Sequence, residues 1–156
     1  MEAPSPARLY AAAVGVLLVA VGIAGFFYTA SFGAPGDVAP ALGVLRVNGW
    51  MNLLHLLAGA AGLLAAGVAS RGYALAVGIL FTVLGVWGLT LGSDAAILGF
   101  LPAAGGDEAL HLVLGLLGLA AAAATPRRAA PRPAAPSRTS KRKRSETGAK
   151  PAGEGA

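Results

Sequence analysis

The sequence predicts an all-α, polytopic membrane protein: four transmembrane helices paired as two parallel-repeat hairpins, followed by a disordered basic C-terminal tail. Three observations carry that expectation. The 156-residue chain is 56% hydrophobic and 12% charged, with a mean hydropathy of +0.69. A soluble domain of this size could not bury so much apolar surface. Four apolar runs approach the roughly 20 residues that cross a hydrocarbon core, and the second pair of runs repeats the first.

Residues 9–28 supply a full-length run without charge, and residues 51–69 and 73–91 supply 19 each. Residues 109–124 are shorter and borrow Asp107 and Glu108 at their outer end; snorkelling and local thinning accommodate the shortfall. The breaks agree. "GAPGDVAPALG" (33–43) gathers Gly and Pro, "SRG" (70–72) is a tight turn, and "GSDAAILGFLPAAGG" (92–106) parts the last two runs. "ALGVL" (41–45) and "AILGFL" (96–101) are too short to span. They are expected as interfacial pre-helix segments, or as pieces that dip in and pack on the bundle. The first run is long for a cleaved signal peptide and no Ala-x-Ala site follows it, so it is expected to be retained.

Charge sets the orientation. Residues 1–125 carry Arg8, Arg46 and Arg71 against Glu2, Asp37, Asp94, Asp107 and Glu108, whereas residues 126–156 carry nine Lys/Arg against two acids. Arg8, Arg71 and the tail share one side of a four-pass chain, so both termini are expected in the cytoplasm, with the protein in the bacterial cytoplasmic (inner) membrane. The tail lacks apolar periodicity and is rich in Pro, Ala, Ser and basic residues, which predicts disorder. Its "KRKR" (141–144) has no aromatic residues interleaved to stack on bases. Anionic lipid headgroups are therefore its expected partner, and nucleic acid is not.

The duplication is specific. "RLYAAAVGVLLVAVGIAGF" (8–26) and "RGYALAVGILFTVLGVWGL" (71–89) agree at nine of 19 positions, pairing Arg8 with Arg71 and Tyr10 with Tyr73. Residues 52–66 and 108–122 agree at eight of 15, pairing His55 with His111. The repeats are thus 8–70 and 71–125, a two-helix unit used twice and related by an axis along the membrane normal. Gly15, Gly22 and Gly25 line one helix face, as do Gly78, Gly85 and Gly88; Gly59 and Gly62 match Gly115 and Gly118. Such small-residue stripes admit a neighbouring helix, and any stripe left over would support a homo-oligomer. Tyr10 and Tyr73 read as interfacial anchors, Trp50 as an outer-belt residue and Trp87 as a packing residue.

The Arg-x-Tyr-Ala starts, the glycine stripe and "VNGWMNLLHLLAGAAGL", with its Asn-x-x-His-Leu-x-x-Gly core, resemble a family of small four-helix bacterial membrane proteins. That family is catalogued as a domain of unknown function. The resemblance covers about residues 7–124, and the second copy departs from it with Glu108 in place of Asn52 and Ala104 in place of Asn48. It implies the architecture and no activity.

The candidate chemistry is confined to one helix face in each repeat. Asn48, Asn52 and His55 fall at i, i+4 and i+7, and Asp107 and Glu108 precede His111 by four and three residues. Asn48 and Asp107 are expected as helix caps, Asn52 as the partner of His55, and Glu108 or Asp107 as the partner of His111. Three readings compete. In the first, the histidines hydrogen-bond neighbouring helices, and the protein is a non-enzymatic structural or interaction component without a cofactor. In the second, His55 and His111 on diagonal helices bind haem or a metal in a redox protein. In the third, the polar rim passes protons or small solutes. There is no cysteine, no phosphate loop, no nucleophile elbow, no zincin motif and no lysine before Lys141. No catalytic residue and no enzyme activity is expected, and no dedicated metal-ligand cluster.

Overall fold

In lipid a backbone must satisfy its own hydrogen bonds, so each apolar run folds as a helix. The computed structural model describes residues 3–33, 38–41, 45–91, 95–103 and 105–127. In chain order the elements are α1 (Pro6–Tyr28), β1 (Ala39–Ala41), β2 (Leu45–Val47), α2 (Gly49–Val68), α3 (Ser70–Leu91), β3 (Ala96–Ile97), β4 (Leu101–Pro102) and α4 (Gly105–Ala123). All four helices are long and apolar enough to cross a membrane. The helical unit runs to Pro126, and the tail expected over 126–156 lies outside the described residues from 128 onward.

Each helix begins two to four residues before its apolar run. Ser5 caps α1, its hydroxyl accepting from the Arg8 N–H at 3.4 Å, and Pro6 takes the first helical position. Asn48 caps α2 as expected, its Oδ1 accepting from the Met51 N–H at 2.9 Å. Asp107 does not cap α4. That helix starts at Gly105, so Asp107 and Glu108 fall in its first turn, where the helix dipole favours negative charge.

The two short apolar loops pack on the bundle, the second of the two expectations: Ile97 and Leu101 join the main core, and Ala41 and Leu45 pack against Val21 and Leu110, with residues 42–44 outside the described residues. They are antiparallel ribbons, not pre-helix segments: β1 pairs with β2 with Ala41 opposite Leu45, and β3 pairs with β4 with Ile97 opposite Leu101. The second ribbon turns through Leu98 at φ 54° and Gly99 at φ 79°, and the Phe100 N–H donates to the Ile97 carbonyl at 3.2 Å. Two successive left-handed residues are the turn geometry that suits strand twist in a tight hairpin. The fold is therefore mostly helical with two ribbons at one end, an addition to the all-α expectation.

The bundle is tightest within each repeat. A Cβ on Gly22 would lie 2.8 Å from the Leu56 nitrogen, and one on Gly59 would lie 2.6 Å from the Val19 nitrogen. In the second repeat the corresponding approaches are 2.8 Å from Gly85 to Leu112 and 2.5 Å from Gly115 to Thr82. Only glycine lets α1 and α2, and α3 and α4, meet at backbone contact. Gly15, Gly25, Gly62, Gly78, Gly88 and Gly118 make comparable contacts inside the chain.

Between repeats, α1 and α3 each touch all three other helices, while α2 and α4 pack chiefly against those two. Their inward faces repeat residue for residue, with Tyr10, Ala11, Val14 and Leu18 answered by Tyr73, Ala74, Val77 and Phe81. Large apolar side chains such as Val16, Ile23, Phe27, Leu57 and Leu64 point outward, as suits a lipid-facing surface. Trp87 is among them at 39% exposure, so it does not pack in the core as expected.

Candidate functional site: a buried polar cluster between the repeats

All six polar candidates are buried: Asn48, Asn52, His55, Asp107, Glu108 and His111. They lie in the half of the bundle that adjoins the ribbons, because α2 and α4 both start there. Side chains on a helix lean toward its N-terminus, which gathers them against the ribbon end.

Two of the six tie one repeat to the other. Asn48, while capping α2, donates through Nδ2 to the Phe100 carbonyl of the second ribbon's turn at 2.7 Å. Asp107 answers from the second repeat, its Oδ2 accepting from the Arg46 backbone N–H of β2 at 2.9 Å. A third serves its own hairpin: Asn52 Nδ2 donates to the Thr29 carbonyl at the end of α1 at 2.9 Å. A Cβ on Gly25 would collide with the Asn52 amide, and a Cβ on Gly88 would collide with the Glu108 carboxyl. The absent side chains of those glycines make room for the two polar groups, in equivalent places in the two repeats.

The histidines meet. Their ring centres are 5.8 Å apart with planes tilted by 49°. Phe81 lies against both, 5.0 Å from His111 and 6.5 Å edge-on from His55. At Nδ1, however, neither makes the hydrogen bond to a neighbouring helix that was expected. Nδ1 of His55 and Nδ1 of His111 are buried and have no hydrogen-bond partner, and the same holds for Asn52 Oδ1. Neither the pairing of His55 Nδ1 with Asn52 nor that of His111 Nδ1 with Asp107 or Glu108 is made. Asn52 and Asp107 bond instead to backbone groups where the helices end and the ribbons begin. Among the described residues no three His, Cys, Asp or Glu side chains converge on a metal position.

The glue is elsewhere, in residues read as membrane anchors. The Tyr10 hydroxyl of α1 donates to the Leu114 carbonyl of α4 at 2.9 Å, and the Tyr73 hydroxyl of α3 donates to the Ala58 carbonyl of α2 at 3.0 Å. Both tyrosines are 8% exposed, with ring centres 6.3 Å apart, so they are core residues rather than interfacial anchors. The hydroxyls abut Gly118 and Gly62, where any side chain would displace them. Thr125 closes the far end of the bundle. Its Oγ1 accepts from the Ala7 N–H at 2.9 Å and donates to the Ala121 carbonyl at 2.8 Å, and its carbonyl accepts from Arg71 Nε at 3.1 Å. The matched tyrosines were the sequence signal for this exchange. For Thr125 and Phe81 the sequence carried none, because each stands where the other repeat has a different residue.

No curated protein and no solved structure matches the chain. A family model described as "Domain of unknown function (DUF4383)" matches residues 8–124, the whole of the duplicated hairpin from Arg8 to the end of α4. The four-helix chain with its paired Asn-His and Glu-His faces belongs to that family of unknown function.

Proposed function

We propose that this chain is a multi-pass protein of the bacterial cytoplasmic membrane, with both termini in the cytoplasm, acting as a non-enzymatic structural or interaction component. The observation that carries the reading is the reciprocal bonding between repeats. Asn48, Asp107, Tyr10 and Tyr73 each bind a backbone group of the opposite repeat. Polar groups committed to backbone in this way stiffen a scaffold and leave few for turning over a substrate. Arg71 and the start of α1 sit together at Thr125, opposite the acidic start of α4, which supports the positive-inside orientation. A groove of about 310 Å³ lined by Trp50, Leu54, Leu57, Leu80 and Leu84 is almost wholly apolar and suits a lipid chain. The basic tail adds attraction to anionic headgroups of about 1 kcal/mol for each Lys or Arg near the surface.

The test joins topology to permeability. A reporter active only in the cytoplasm, fused after Ala156, should give signal. Proteoliposomes containing the protein should pass protons and small solutes no faster than empty vesicles. An external C-terminus would overturn the orientation. A flux that His55→Ala and His111→Ala abolish would replace the scaffold by a passage.

A further inference from the structure

The scaffold accounts for Asn48, Asp107 and the tyrosines, and leaves the two imidazoles without a purpose. Each lies deep in the bundle at 5% and 2% exposure, each has an unpartnered Nδ1, and the ring centres stand 5.8 Å apart across the repeat boundary. Burying an imidazole nitrogen without a hydrogen-bond partner is unfavourable, and native interiors rarely keep such a group without a reason. Two of them side by side point to a guest.

We propose that His55 and His111 form a two-coordinate site for monovalent copper, Cu(I), held between the two repeats. A metal–imidazole nitrogen bond is about 2 Å, so two such bonds end to end set facing ring centres about 6 Å apart. The pair already stands at 5.8 Å. Among the described residues no third His, Cys, Asp or Glu joins them in a metal-sized group, so the site lacks the set that Zn(II) takes. Cu(I) is content with two nitrogen donors.

The surroundings agree with a soft, singly charged ion. Phe81 offers its ring to the cation, and a single charge is easier to bury than a double one. Met51 lies four residues before His55 on the same helix face and is 1% exposed. Phe81 also stands where the edge of a macrocycle between the histidines would lie, so the geometry favours a bare ion over haem iron on the same nitrogens.

Full-length protein in detergent, titrated anaerobically with Cu(I) against the chromophoric chelator bicinchoninate, tests the site. The expected result is one Cu(I) per chain, with X-ray absorption showing two imidazole nitrogens at bonding distance. His55→Ala and His111→Ala, checked for helicity by circular dichroism, should each weaken binding by more than about tenfold. Tyr10→Phe, which loosens the repeats away from the site, should leave the stoichiometry unchanged. Wild-type protein that takes up no Cu(I), or holds it through donors other than imidazole, would overturn the site. Undiminished binding in the double histidine variant would do the same. The wild-type titration and spectrum need no variant, so a variant that fails to fold does not blunt the test. Failure of copper binding leaves the scaffold standing, since topology and permeability are read separately.

Discussion

Tyr10 and Tyr73 show how much one matched pair of side chains can do inside a bilayer. Each hydroxyl crosses to a carbonyl of the opposite repeat, at 2.9 and 3.0 Å. Those carbonyls belong to helices already bonded along their own backbones, so the tyrosines add an interaction rather than rescue an unsatisfied group. Such bonds in membrane proteins average about 0.6 kcal/mol and reach about 1.7 kcal/mol. Tyr10→Phe and Tyr73→Phe should therefore each lower unfolding stability by about 1 kcal/mol in mixed micelles. The rings are 6.3 Å apart, close enough for the double variant to depart from additivity. Unchanged stability in both single variants would mean that the hydroxyls do not hold the repeats. Asn48 was legible in the sequence as a cap, since Asn before an apolar run is a helix start. Its second bond, to Phe100, was not, because that partner lies 52 residues away on a turn whose shape no local pattern encodes.

The helices were legible as elements because lipid imposes a length and an uncharged composition on them. Their starts were not, because polar residues at the membrane boundary cap and extend a helix without belonging to its apolar run. The ribbons were missed for a different reason. Strands of two or three residues are too short to show an alternating pattern, and Leu98 at φ 54° is a left-handed position that side-chain chemistry does not announce. The glycine faces were fully legible, and the structure gives them a sharp test. A Cβ on Gly59 would meet the Val19 nitrogen at 2.6 Å, while one on Gly67 of the same helix meets nothing within 4 Å. Gly59→Ala should force α1 and α2 apart and cost about 1–3 kcal/mol. Gly67→Ala should be neutral, or should stabilise by up to about 1 kcal/mol through helix propensity. Equal effects of the two in a thermal melt would mean that glycine here reflects composition and not packing.

At the scale of the molecule, the duplication governs the design. The 63-residue offset between α1 and α3 and the 56-residue offset between α2 and α4 carry the tyrosine bonds and the glycine contacts into their counterparts. Tyr10 reaches Leu114 as Tyr73 reaches Ala58, and Gly22 meets Leu56 as Gly85 meets Leu112. The sequence alignment pairs His55 with His111 but cannot say that they touch, because matching residues in two repeats lie anywhere from the axis to opposite rims. The structure puts them together, with Phe81 beside them where the first repeat has Leu18. Repeats that meet at their histidines are the central claim, and solid-state NMR tests it most directly. The chain has two histidines, so histidine-selective isotope labelling gives two imidazole spin systems in an otherwise silent protein. In proteoliposomes, with labelled chains diluted in unlabelled ones, a through-space cross-peak between the two rings is the predicted result. Two resolved imidazoles with no contact between them would contradict the account.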